Sequence, residues 1–124
     1  DVSTIPNGKA ASYVLGAPDL YSPGTQTPSW SLSQPRGLAY SGVDEILFVA
    51  DTGYNRVVVY DVATMTGGEP AVNVIGQWDL GSSVNDVSAT SLNGPFAVAV
   101  DEAGRQLYIA DTENKRVIRV EVGR

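Results

Sequence analysis

Short apolar runs alternate with polar turns rich in glycine and proline along the chain, and the runs recur at a spacing of 60 residues. Their shortness and their content of β-branched and aromatic side chains predict strands, and no helical period competes with this pattern. In the first unit the predicted strands cover residues 37–40, 46–50, 57–60 and 73–75. In the second unit they cover 97–100, 106–110 and 117–120, and residues 13–15 are predicted to form one more outer strand.

The repeat itself is the most informative feature. Residues 47–52, LFVADT, fall on residues 107–112, LYIADT, and residues 14–16, VLG, fall on residues 74–76, VIG. Self-similarity at a fixed period indicates stacked units that bury their faces against one another. Four antiparallel strands per unit are typical of a β-propeller blade. The sequence therefore predicts an all-β fold of four-stranded propeller blades, with two blade equivalents in this chain.

The segment LFVADTGYNRV at residues 47–57 and its copy LYIADTENKRV at 107–117 resemble the signature of NHL repeats. In that family a strand ending in Ala-Asp leads through a Thr-Gly-Asn-like turn to an arginine and an apolar strand. The PRGLA run at 35–39 is similar to the family's entry to the innermost strand. The resemblance covers nearly the whole chain and implies a six-bladed propeller, but it says little about function because propellers host many unrelated activities.

The resemblance also implies a division of the chain. Residues 1–30 are expected to be an outermost strand and loop that complete a neighbouring blade. Residues 31–90 are then the first NHL repeat with its outer strand and loop, and residues 91–124 are the inner three strands of the second.

Open blade flanks predict association. Apolar area left in water forfeits about 25 cal/mol per Å², and a whole domain is stable by only about 5–15 kcal/mol. We therefore expect head-to-tail homo-oligomers formed by strand exchange, in which residues 12–16 of one copy complete the blade of residues 96–122 in the next. Three copies would supply six blades, so a trimer is predicted. The remaining blades of a parent protein are the alternative partner, and an excised or designed piece whose function is assembly is a third interpretation.

Charge and composition narrow the function classes. The net charge of −6 disfavours nucleic acid as a partner, and no apolar run approaches the roughly 18 residues of a membrane-spanning helix, so no membrane partner is predicted. The chain has no cysteine and no histidine, which removes thiolate chemistry and the commonest general base. The compartment stays open. Bacterial proteins with such repeats are often exported, which favours the periplasm or the cell exterior.

One propeller face gathers the candidate functional residues, because the turns between the second and third strands share it with the loop entering the innermost strand. The candidate face for a ligand or partner comprises Arg36, Tyr54, Arg56, Phe96, Lys115 and Arg116. Aromatic and basic groups together suit a protein, peptide or glycan ligand. The turn residues Asp51, Thr52, Asn55, Asp111 and Thr112 are predicted to be structural, because they recur in both units and suit backbone-bonded turns.

The predicted function is thus a non-enzymatic NHL propeller module for protein or ligand binding or for self-assembly. The alternative is a fragment of a channel-metal propeller enzyme, such as a lactonase-like hydrolase that uses Ca²⁺. Asp44 and Asp101 are the candidate Ca²⁺ ligands because Ca²⁺ takes six or more oxygens. A solvated-turn role is favoured for both, and no cofactor and no catalytic residue are predicted.

Overall fold

The computed structural model describes residues 4–21, 24 and 31–123, and it is built almost wholly from strands and tight turns. The strands are β1 Pro35–Ser41, β2 Ile46–Asp51, β3 Arg56–Asp61, β4 Asn73–Ile75, β5 Pro95–Asp101, β6 Gln106–Asp111 and β7 Arg116–Glu121. They form a four-stranded sheet in the order β1-β2-β3-β4 and a three-stranded sheet in the order β5-β6-β7. Every pairing between these strands is antiparallel. The predicted all-β class and its repeated units are confirmed.

Each sheet turns between its second and third strands through a short 3-10 segment, Thr52–Tyr54 or Thr112–Asn114. The left-handed residue that closes the turn is Asn55 in the first unit and Lys115 in the second, each at φ 55°. Gly53 is therefore not required for its dihedrals. It is required for space, since a Cβ at this position would lie 2.7 Å from Ser33 O.

The main core lies between the two sheets. Its fully buried members are Phe48 and Val57 from the first sheet with Leu92, Leu107 and Ile109 from the second unit. Successive side chains of a strand point to opposite faces, so Val49, Val58 and Tyr60 point away from the second sheet and form a separate cluster. The face of the first sheet that points away from the second is therefore buried at β2 and β3, whereas Leu38 and Tyr40 of β1 remain exposed.

The N-terminal segment differs from its prediction, because residues 13–15 form no strand within this chain. Leu15 makes only an isolated parallel bridge with Glu69, and residues 4–13 are exposed. A fourth strand needs the edge of a third strand for its hydrogen bonds, and no such edge from the described residues lies beside this segment.

Residues 1–3, 22, 23, 25–30 and 124 lie outside the described residues, so the division of the chain at residue 30 stays a prediction. Within the part that is described, no helix is long and apolar enough to cross a membrane.

Candidate functional site

Two corresponding ion pairs, each with a buried aspartate, close the turns of the candidate face. Asp51 and Arg56 are Cα partners at the end of β2 and the start of β3, and Arg56 Nε donates to Asp51 Oδ2 over 2.7 Å. Arg116 Nε donates to Asp111 Oδ2 over the same distance. The guanidinium of Arg56 also donates to two carbonyl oxygens, Ser31 O at 3.0 Å and Leu80 O at 2.6 Å. Arginine thus ties its turn to the neighbouring loops.

Burial dominates the electrostatics of the first turn. It raises the pKa of the Asp51 carboxyl, against the opposing effects of the Ser33 N–H bond and of Arg56. Burial also raises the pKa of Tyr60 to about 12, and the negative charge of Asp51 acts in the same direction. Because Asp51 and Arg56 are enclosed and hydrogen-bonded to each other and to the adjoining backbone, they have the geometry of a structural clamp.

The residues predicted for the candidate face differ in their exposure to solvent. Arg36 lies over the Phe96 ring at 4.9 Å from the centroid, which joins the two sheets through exposed side chains. Lys115 is also exposed. Tyr54 is half-buried under Arg56, whose guanidinium carbon is 5.2 Å from its ring centroid.

The two remaining arginines of the face serve the ion pairs. The Arg56 side chain is 2% exposed and that of Arg116 is 28% exposed. The residues of this face that are available to a ligand are therefore Arg36, Phe96 and Lys115, with Tyr54 beside them.

The turn residues also connect neighbouring blades. Thr52 Oγ1 donates to Pro95 O over 2.6 Å, and Asn55 Oδ1 accepts from the Gly94 N–H over 2.8 Å. Thr112, the counterpart of Thr52, donates instead to Ala110 O in its own unit. The turn of the first unit therefore links two blades. The corresponding turn of the second unit lies at a flank that has no neighbouring blade among the described residues.

The opposite edge of the sheets carries a second set of polar links. Arg105 Nη1 donates to Asp44 Oδ2 over 2.8 Å, and Glu102 Oε1 accepts from the Val43 N–H and the Ser41 hydroxyl. The hydrogen bond from the Val43 N–H lowers the pKa of the Glu102 carboxyl, and the bond from the Ser41 hydroxyl lowers it to a smaller extent. Sequence reasoning placed Glu102 among the turn carboxylates but missed Arg105 and the links of both residues to the first unit. The available signal was their difference from the repeat, because the first unit has Gly42 and Glu45 at these positions.

The candidate Ca²⁺ ligands do not converge. Asp44 is paired with Arg105, and Asp101 Oδ1 accepts from the Gly104 N–H of its own turn. Among the described residues, no group of three or more carboxylates is placed to hold a metal ion.

A cleft of about 530 Å³ opens between the two sheets at this same edge. Its walls are apolar, with Ile46, Phe48, Val59 and Ile75 on the first blade and Val100, Val120 and Val122 on the second. Its mouth is acidic: the described residues that line it include four carboxylates and one arginine, namely Asp44, Asp101, Glu102, Glu121 and Arg105. No sequence pattern predicted the cleft, because it arises only when the two sheets pack together.

Antiparallel sheets repeated at 60 residues, packed face to face and clamped by the same Asp–Arg turn, define this chain as a pair of β-propeller blades. Comparison with known proteins confirms the resemblance to NHL-repeat proteins. The chain is similar to the NHL repeat-containing protein 2 of Gallus gallus, with 29% identity over 91 residues, and to that of Bos taurus, with 31% identity over 91 residues. Each match covers 69% of this chain and 11% of the relative, so the chain corresponds to about a tenth of each relative's length. No family model matches the chain.

Proposed function

We propose that this chain is a non-enzymatic propeller module whose function is association, in which copies complete one another head to tail by exchanging the outer strand. The observation that carries the proposal is the placement of residues 13–17. They lie against the first blade as the outer strand of a preceding blade would, although no preceding blade is among the described residues.

The repeat makes this placement measurable. A Cβ on Gly76, at the end of β4, would lie 2.6 Å from Leu92 Cγ in the next unit. A Cβ on Gly16 would lie 2.9 Å from Leu32 Cγ, and both glycines have positive φ, at 92° and 84°. Gly16 and Leu32 therefore reproduce, one repeat earlier, the junction between an outer strand and the following blade. No three inner strands lie beside this segment among the described residues, and in the proposed assembly β5-β6-β7 of a second copy supply them.

The outer edge of β7 is the complementary gap. In the first sheet β4 pairs with β3 through Val57↔Ile75, Val58↔Val74 and Val59↔Asn73. The same register on β7 would pair Val117 with Leu15, Ile118 with Val14 and Arg119 with Tyr13 of another copy. Backbone hydrogen bonds would provide much of the affinity, as in other strand additions.

The arginine clamp supports the same register. Arg56 donates to Leu80 O, and the counterpart of Leu80 one repeat earlier is Leu20. Arg116 already donates to Ser88 O and Ser91 O of its own chain. In the proposed register Leu20 O of the next copy becomes a further acceptor. This accounts for the 28% exposure of the Arg116 side chain in the single chain, against 2% for Arg56.

The lateral flanks match as well. Leu38 and Tyr40 are 64% and 53% exposed, while their counterparts Val98 and Val100 pack against the core between the sheets. Val117 is 70% exposed, while its counterpart Val57 is fully buried. The two exposed flanks are thus the two halves of a junction that the chain already forms once internally.

Two sequence differences between the units affect the spacing and the polarity of the proposed interface between copies. Ala97 stands where the first unit has Gly37, so the innermost strands must lie slightly farther apart there than within the chain. Arg119 stands where the first unit has Val59, so this junction is more polar.

We further infer that the assembled copies bind a ligand on the candidate face. Once copies associate, the face carrying Arg36, Phe96 and Lys115 would repeat around the ring, which suits a protein, peptide or glycan better than nucleic acid at a net charge of −6. No observation on the described residues favours the metal-dependent hydrolase.

Molar mass in solution is the first test. Three chains of 13.1 kDa should give a discrete species of about 39 kDa by light scattering. A folded, soluble species of 13.1 kDa would overturn the proposal. A chain that forms a discrete species only when mixed with further NHL blades would show that a parent protein, and not a second copy, completes it.

The exchange itself is tested by cross-linking. The chain has no cysteine, so any disulfide in a Val14→Cys and Ile118→Cys double variant must join the introduced residues. In the proposed register these two residues are direct cross-strand partners, at a Cα separation suited to a disulfide. Oxidation should give covalent trimers on a non-reducing gel. The matched control is Val14→Cys with Val84→Cys, and equal cross-linking of the control would reject the register.

A further inference from the structure

Residues 8–12 precede the outer-strand segment and are exposed along their whole length. Their counterparts one repeat later, residues 68–72, are held against the first blade. The Gly68 N–H donates to Val14 O and the Val72 N–H donates to Val59 O, each over 2.8 Å, and Ala71 packs on the cluster of Tyr60. The exposed segment is thus a copy of a segment whose packing position is known.

The two segments begin with a glycine in the same left-handed conformation. Gly8 and Gly68 have positive φ values of 74° and 72°. A Cβ on Gly68 would meet Pro18 O at 3.1 Å and Ala17 O at 3.4 Å, whereas a Cβ on Gly8 would meet nothing within 4 Å. Gly8 therefore has the backbone conformation of its docked counterpart without the surface on which that counterpart docks.

The 60-residue shift identifies that surface. Transferred one repeat onward, the bond of Gly68 to Val14 becomes a bond from Gly8 of a second copy to Val74 O. The bond of Val72 to Val59 becomes one from Ser12 to Arg119 O. Val74 adjoins Ile75, and Arg119 adjoins Val120. Ile75 and Val120 are opposite walls of the 530 Å³ cleft, so the transferred segment lies in it.

The charges of the cleft and the segment are complementary. Lys9 stands at the position of Glu69, the residue that bridges to Leu15. The shift places Lys9 beside Ile75, near the mouth. Among the described residues, this mouth carries the carboxylates of Asp44, Asp101, Glu102 and Glu121 and one cation, Arg105. A lysine there reduces an excess of negative charge that a glutamate would increase.

We propose that residues 8–12 of a second copy fill the cleft between the two blades, with the Lys9 ammonium paired to its acidic mouth. This inference rests on the head-to-tail assembly proposed above and assigns it a second contact besides the exchanged strand. The cleft is then a socket, meaning the binding site for this one segment of a second copy.

Exchanging the charges of Lys9 and Glu121 tests whether Lys9 pairs with the acidic mouth of the cleft. Sedimentation velocity over a series of chain concentrations gives the concentration of half-assembly for the wild type, Lys9→Glu, Glu121→Lys and the double variant. Each single variant should raise that concentration by about tenfold, because it places like charges together at the mouth. The double variant keeps the wild-type net charge and should return to within about threefold of the wild type.

The steric fit gives an independent arm. Gly8→Ala should weaken assembly by about tenfold, because its Cβ would meet carbonyls of the partner's outer-strand loop and its φ is unfavourable for alanine. Glycine-to-alanine replacement at Gly81, where a Cβ has only Asp79 Oδ1 within 4 Å at 3.5 Å, is the control and should leave assembly unchanged.

The outcomes separate the two proposals. A wild-type chain that stays at 13.1 kDa overturns both of them. A wild type that assembles and cross-links at residues 14 and 118, while all the charge variants and Gly8→Ala assemble like it, overturns the socket alone. Single variants that weaken assembly without recovery in the double variant also reject the pairing of Lys9 with the mouth.

Discussion

At the scale of single residues, the Asp–Arg clamp shows how the same sequence motif acquires different energetics in two units. Both aspartates are fully buried, but the guanidinium of Arg56 is enclosed by Leu80 and that of Arg116 is not. A buried charge that loses its partner is costly because its desolvation is no longer compensated. The clamp of the first unit should therefore tolerate less change than that of the second.

Replacing Asp51 by asparagine should lower the free energy of unfolding by about 3–5 kcal/mol, because it leaves the Arg56 guanidinium buried without a counter-charge. In the unassembled chain, Asp111→Asn should cost less, since water reaches the Arg116 side chain, which is 28% exposed. Urea unfolding at one fixed chain concentration, below that at which copies assemble, measures both variants. Equal losses would contradict the role given to solvent access.

Tyr60 predicts a loss of stability in alkali. Its pKa is about 12 in the folded chain against an ordinary value of 10.0, so the unfolded chain releases this proton first. The contribution is fully present below pH 10 and is lost as the pH rises towards about 12. Absorbance titration should show one late-ionising tyrosine that Tyr60→Phe removes, together with part of the alkaline destabilisation. Tyr21→Phe, at a 94% exposed position, should change neither.

At the scale of elements, the two sheets approach most closely at their innermost strands. A Cβ at Gly37 in β1 would lie 2.7 Å from Phe96 O and 2.8 Å from Ala97 Cα in β5. These are backbone atoms of β5, which is held by its pairing with β6. They cannot move aside as a flexible side chain can. Glycine at this point thus sets the distance between the blades.

Gly37→Ala should accordingly destabilise the chain by about 1–3 kcal/mol, the usual cost of overpacking. Gly42→Ala is the matched control, because a Cβ there would meet only side-chain atoms at 3.6 Å or beyond. Thermal unfolding of the two variants at equal concentration compares them. A Gly37→Ala chain as stable as Gly42→Ala would show that β5 can shift without loss.

At the scale of the whole molecule, the chain contains one packed interface between its two sheets. The two outer flanks of the sheets correspond to the two sides of that interface. The internal junction buries Phe48, Val57, Leu107 and Ile109 almost completely. The outer flanks expose the counterparts of such residues, notably Val117 at 70% and Leu38 at 64%. Apolar flanks of this kind favour association, and their shape favours another blade.

Val117→Asp should therefore prevent assembly while leaving the single chain folded. The mass by light scattering should fall from about 39 kDa to 13.1 kDa, with an unchanged far-ultraviolet spectrum. Val84→Asp introduces the same charge at a 68% exposed position outside the flanks and should keep the assembled mass. Persistence of the large species in Val117→Asp would place the interface elsewhere.

Much of the fold follows from local rules that the sequence states directly. Alternation of apolar and polar positions and the Asp-Thr…Arg turn fixed the seven strands of the two sheets to within one or two residues at most ends, because these signals depend on near neighbours. The pairing of Asp51 with Arg56 follows from the same rules, since a tight turn brings the end of β2 opposite the start of β3.

The tertiary structure decided everything that depends on which unit lies beside which. Residues 13–15 have the sequence of a strand and form none in the single chain, because a strand exists only against an edge. Arg56 and Arg116 have the same local motif and differ in burial because only one of them has a following outer-strand loop beside it. The acidic cleft was absent from every local pattern, since Glu102 and Ile75 are brought to one space only by the packing of two sheets.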